Sequence, residues 1–95
     1  MSLSFGDHRV VAADAVVTRV VGHATVLFNI ETGRSFRLDD VGTRAWTVLT
    51  TSPSIEQAME TLMAEYRADA AELRDDLRLL IDDLAQRGLA EVCRV

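Results

Sequence analysis

Few side chains in this sequence can do covalent chemistry, and their spacing argues against it. The two histidines, His8 and His23, change charge near neutral pH, but neither has a Ser, Cys or carboxylate spaced to make a nucleophile–base pair. Cys93 is the single cysteine. It cannot form an internal disulfide, and no His or Cys cluster accompanies it as a metal set. The acid pairs Asp39-Asp40 and Asp75-Asp76 place carboxylates side by side, yet neighbours on a helix point about 100° apart and do not converge on one substrate. A helix cap and a solvated face account for them. The sequence therefore predicts no catalytic residue, no metal and no cofactor, and a protein that works by binding.

Two groups of residues suit binding. Arg34-Ser35-Phe36-Arg37-Leu38 alternates polar with apolar, so Phe36 and Leu38 face a core while Arg34, Ser35 and Arg37 look outward or along an edge. An edge strand carries unpaired N–H and C=O groups that an extended peptide can pair with. The two arginines equally protect an edge that takes no ligand. The second group lies on the helix predicted from Asp69. At 100° per residue, Leu73, Leu77, Leu80 and Leu84 point to the core, whereas Glu72, Asp76, Leu79 and Asp83 share one flank. Leu79 among three acids reads either as the floor of a groove for an apolar side chain and a nearby cation, or as a lone exposed leucine on a solvated face.

The elements that must position these residues follow from periodicity. From Ala15 to Leu38 the sequence reads as strands: β-branched Val16 to Val21, a Gly22-His23 turn, Ala24 to Asn29, the tight Glu31-Thr32-Gly33 connection, then Arg34 to Leu38. After Leu38 the period becomes helical. Asp39 or Asp40 caps a first helix containing Trp46 and Leu49. Ser54 with Gln57 forms a capping box for a second, whose stripe is Ile55, Ala58, Met59, Leu62, Met63 and Tyr66. The third runs from Asp69 through Ala70, Leu73, Leu77, Leu80, Ile81 and Leu84 to Gly88. Leu89 to Val92 forms a short extended tail. Trp46, Phe28 and Phe36 are expected in the core.

The fold class predicted is α+β: a three-stranded antiparallel sheet followed by three helices, in the proportions of a winged helix-turn-helix. Residues 1–95 form one domain, with 1–14 an N-terminal extension or an extra strand over His8 to Ala12. Hydrophobic residues at 48% are too abundant for disorder. No apolar run is long enough to cross a bilayer, and Met1-Ser2-Leu3-Ser4 lacks the basic start of a signal peptide, so the protein is expected in the cytoplasm with no membrane partner. All ten basic residues are Arg and the net charge is −5. The excess of acid falls wholly after Arg44. Between Asp69 and Asp83, six acids face only Arg74 and Arg78. That helix repels phosphates, so nucleic acid is not expected as a partner, and a winged-helix DNA-binding regulator stands only as the alternative.

Several blocks in this order are familiar: Gly22, Val26-Leu27-Phe28-Asn29, Thr32-Gly33, Phe36, Leu38, Val41-Gly42, Trp46-Thr47-Val48-Leu49, Tyr66, then Asp76, Leu80, Leu84 and Gly88-Leu89. The chain resembles the PqqD-like family of peptide-recognition elements from about Val16 to Val92. The most specific parts are strand-Asn-x-x-Thr-Gly-strand-Leu and Val-Gly-x-x-x-Trp. The resemblance implies a winged-helix-like domain that binds the leader of a ribosomally made precursor peptide as an added strand along the third strand of the sheet, in a groove against the third helix. The implied site is Arg34, Ser35, Phe36, Arg37 and Leu38 with Glu72, Leu73, Asp76, Leu77, Leu79, Leu80 and Asp83. The implied partners are the leader peptide and a separate enzyme, a leader protease of a lasso-peptide pathway or another modifying enzyme. Asp39 stands where the family commonly has Asn, and the first fourteen residues are longer than usual.

Overall fold

The computed structural model describes residues 4–67 and 69–95. The elements run β1 (His8–Ala12), β2 (Val16–Val21), β3 (Ala24–Asn29), β4 (Ser35–Leu38), α1 (Asp40–Thr51), α2 (Ile55–Tyr66), α3 (Ala70–Gln86) and β5 (Ala90–Arg94). The expected α+β class is present: a three-stranded antiparallel sheet of order β2-β3-β4, then three helices. A second, two-stranded sheet joins β1 to β5, with Val10 opposite Val92 and Ala12 opposite Ala90. The segment His8 to Ala12 is thus a strand, and the C-terminal tail is its partner. The first three residues of the 1–14 stretch lie outside the described residues.

Local chemistry fixes each boundary. Gly22-His23 links β2 to β3 in a two-residue turn, and Val21 pairs with Ala24. The β3–β4 loop closes through Gly33 N–H donating to the Asn29 carbonyl at 2.9 Å, and Gly33 has φ 75°, a region open to glycine at little cost. Asp39 caps α1 by accepting from Gly42 N–H at 2.7 Å. Ser54 caps α2 by accepting from Gln57 N–H at 3.2 Å, and Asp69 caps α3 by accepting from Ala71 and Glu72 N–H. These oxygens satisfy donors that the first helical turn leaves without intrahelical partners.

The core lies between the sheet's inner face and the helices. Leu27 and Leu38 from the sheet meet Trp46 and Leu49 of α1, Ile55 and Leu62 of α2, and Leu77, Ile81 and Leu84 of α3. Phe5 is also buried there, ahead of β1, under the guanidinium of Arg74 at 4.8 Å from its ring centre. Some expected core positions lie elsewhere. Phe28 is 41% exposed, because its register against Val17 and Ser35 puts it on the sheet face turned away from the helices. Tyr66 closes α2 half out in solvent and Ala70 opens α3 exposed, so neither joins its helix's buried stripe.

Candidate functional site

The β4 strand forms one end of its sheet, and its hydrogen-bond phase identifies which groups are free. Asn29 N–H donates to the Arg34 carbonyl at 2.8 Å, which makes 29 and 34 a hydrogen-bonded pair. In an antiparallel ladder such pairs alternate. Leu27 with Phe36 and Thr25 with Leu38 are therefore bonded pairs, whereas Ser35 and Arg37, opposite Phe28 and Val26, turn their N–H and C=O groups to the open edge. Among the described residues the N-terminal arm does not pair with that edge, because β1 pairs with β5 in the other sheet.

Side chains along β4 alternate as expected. Leu38 is buried and Phe36 half-buried against the core, while Ser35 and Arg37 are exposed. The strand itself begins at Ser35, and Arg34 closes the preceding loop. An open cleft of about 440 Å³ lies beside the strand, lined by Phe36, Arg37, Leu38, Asp39, Gly42 and Leu80. Its walls thus come from β4, the start of α1 and the middle of α3. A Cβ at Gly42 would sit 3.2 Å from Asp39 Oδ1 and 3.3 Å from Leu38 Cδ2, so the glycine keeps the cleft floor and the cap compatible.

On α3 the residues read from the sequence separate into three environments. Leu80 lines the cleft. Leu77 is only 2% exposed, so it is a core residue and presents no surface to a ligand; its place on the buried stripe, which the helical projection gave, excludes it from the groove. Leu73 is half-buried against the same core. Glu72, Asp76 and Leu79 are exposed and do not line the cleft, Leu79 at 69%. Asp83 is tied to Arg87, which donates from Nε at 2.9 Å, and the Arg87 guanidinium stacks over the Phe36 ring at 4.9 Å from its centre. That stack joins the last turn of α3 to β4.

Two supports were not singled out among the candidate residues. Asn29 is buried; its Oδ1 accepts from Glu31 and Thr32 N–H at 2.9 and 3.1 Å, and its Nδ2 donates to the Gly88 carbonyl at 2.8 Å. One side chain thus shapes the loop before β4 and anchors it to the end of α3, where Gly88 has φ 72°. The Asn-x-x-Thr-Gly block carried that signal. Arg87 was hidden because its stacking on Phe36 is a long-range contact. Away from the cleft, the Arg44 guanidinium is ion-paired to Glu65 across α1 and α2, which holds the Glu65 carboxyl below the usual carboxylate range. Among the described residues no group of three or more His, Cys, Asp and Glu gathers as a metal set, and no helix is long and apolar enough to cross a membrane.

A small three-stranded sheet whose β4 edge is flanked by a cleft against the last helix of a helix-turn-helix defines a winged-helix-like domain. The family model "Coenzyme PQQ synthesis protein D (PqqD)" matches residues 24–90, and the chain belongs to that family. Among solved structures it is similar to TbiB1, described as "in Complex with the TbiA(beta) Leader Peptide", at 34% identity and a TM-score of 0.78, covering 85% of this chain and 94% of that one. No curated protein matches the chain.

Proposed function

We propose that this protein binds the leader segment of a ribosomally synthesised precursor peptide by strand addition to β4 and presents it to a separate maturation enzyme, with a leader protease of a lasso-peptide pathway the favoured recipient. It catalyses nothing itself. The observation that carries the reading is the outward phase of Ser35 and Arg37 beside an apolar cleft, and the likeness to TbiB1, whose structure holds a leader peptide, supports it.

Magnitudes assign roles to the two parts. Ser35 and Arg37 together offer two donors and two acceptors, and at about 0.5–1.5 kcal/mol net per bond they contribute on the order of 2–6 kcal/mol. A micromolar complex needs about 8 kcal/mol after the costs of association are met. Backbone pairing alone falls short. Leader side chains entering the cleft between Phe36, Leu38 and Leu80 supply the remainder and the sequence preference, and Leu73, Leu79, Glu72, Asp76 and Asp83 flank the continuation of the peptide along α3.

The test is isothermal titration with the leader of the precursor encoded beside this gene. Binding in the nanomolar-to-micromolar range is expected. Absence of heat at millimolar peptide contradicts the function. The enzymatic half is tested with a leader protease of a lasso-peptide pathway and its precursor: leader cleavage should accelerate when this protein is present, and an unchanged rate removes the presenting role.

A further inference from the structure

The charge on the first part of β4 and just before it differs from that of the whole molecule. The chain carries −5, yet the side chains that flank β4 are Arg34 before it, Arg37 within it and Arg87 stacked on its Phe36. Among the described residues neither Arg34 nor Arg37 makes an ion pair; the pairs are Arg44 with Glu65, Arg74 with Glu56 and Arg87 with Asp83. Arg87 uses Nε on Asp83, which leaves its terminal nitrogens without a bonded partner among those residues. The carboxylates of Glu72 and Asp76 do not line the cleft. Asp39 does and keeps its negative charge, but it lies past the Leu38 end of the strand, where its Oδ1 accepts from Gly42 N–H at the cap of α1, and not beside Arg34 and Arg37.

Register turns this into a prediction about the ligand. On the outer face of the sheet one row runs Arg19, Val26, Arg37, and a strand added beyond β4 places its own side chain next in that row. A cation there would stand beside Arg37, while a carboxylate would complete a cross-strand pair. We infer that the segment seated on β4 is acidic on its outward positions, with Asp or Glu beside Arg37 and a further carboxylate near Arg34 at the start of the strand, and apolar on its inward ones. This rests on the strand-addition reading and adds to it the charge of the peptide selected. It opposes the idea that the acidic flank of α3 draws a cationic ligand.

The probe is a phage-displayed library of random linear peptides panned on the whole protein, followed by titration of the selected sequences as synthetic peptides. Selected binders should be rich in Asp and Glu and poor in Lys and Arg. Each of Arg34→Gln and Arg37→Gln should weaken an acidic binder by about 1.5- to 5-fold, and wild-type affinity should fall as salt rises from about 0.05 to 0.5 M. Arg34→Glu with Arg37→Glu should shift selection toward Lys and Arg, while Asp76→Arg, which exchanges an acid for a cation on the α3 flank, should tighten acidic binders. Binders that select without regard to charge, or that favour cations and lose affinity with Asp76→Arg, overturn the inference but leave strand addition standing. Failure to select any peptide that protects the amides of β4 removes both.

Discussion

Proline scanning of β4 separates the edge-facing groups from those that hold the sheet together. Ser35 N–H points out of the sheet, so Ser35→Pro removes no ladder bond within the protein, and the smaller conformational freedom of the unfolded chain partly offsets strain at the strand's first residue. Stability should change by less than about 1 kcal/mol. A bound leader loses one backbone bond and is left with a carbonyl facing the proline ring, a cost of about 1–3 kcal/mol, or about 5- to 150-fold in affinity. Phe36→Pro is the internal control: Phe36 lies in a bonded pair with Leu27, its ring is half-buried, and Arg87 stacks upon it. Losing the bond and the ring should cost about 3–5 kcal/mol, which for a domain of this size lowers Tm by more than about 12 °C. Thermal melts and leader titrations of the two variants measure both effects. A Ser35→Pro protein that melts like the wild type and binds leader with undiminished affinity refutes the edge assignment. So does one that unfolds as badly as Phe36→Pro, because the phase of the ladder would then be wrong.

Two further outcomes follow from the supports around the site. Asn29→Ala removes three hydrogen bonds of 2.8–3.1 Å that join the β3–β4 loop to the end of α3, and should cost about 2–3 kcal/mol in denaturant unfolding; Asn29→Asp keeps the acceptor for the loop but turns a buried carboxylate oxygen toward the Gly88 carbonyl, so at neutral pH it should destabilise as well, in spite of its similar shape. The Glu65 carboxyl, lowered by its bond to Arg44, contributes stability above the unfolded-state Glu pKa of about 4.3, and that contribution disappears as pH falls through the lower folded value. The stability difference between wild type and Glu65→Gln should therefore be present at pH 7, shrink in acid and weaken with salt, as melts across pH would record.

The sequence carried most of the fold because local signals and burial agree along it. The Asp39 and Ser54 caps, the Gly22-His23 turn and the alternation at Phe36 and Leu38 each express a short-range requirement, and the structure uses each one. What it did not carry depends on distant partners. Nothing in His8 to Ala12 specifies that its partner is Ala90 to Arg94, since strand pairing across the whole chain leaves no periodic mark. Phe28 reads as core by type, but register against Val17 and Ser35 turns it outward. On α3 the projection ranked Leu77 and Leu80 together, although a few tens of degrees around the axis separate a buried core position from a wall of the cleft. Arg87 over Phe36 arises only when the end of α3 meets β4.

Amide hydrogen exchange, followed by NMR with and without the leader, tests the central claim most directly. In the free protein the Ser35 and Arg37 amides should exchange fast, while those of Phe36 and Leu38 are already slow. Saturating leader should slow Ser35 and Arg37 and leave the β2 edge unchanged. If the leader binds while Ser35 and Arg37 keep exchanging at their free rate, the peptide is not an added strand on β4.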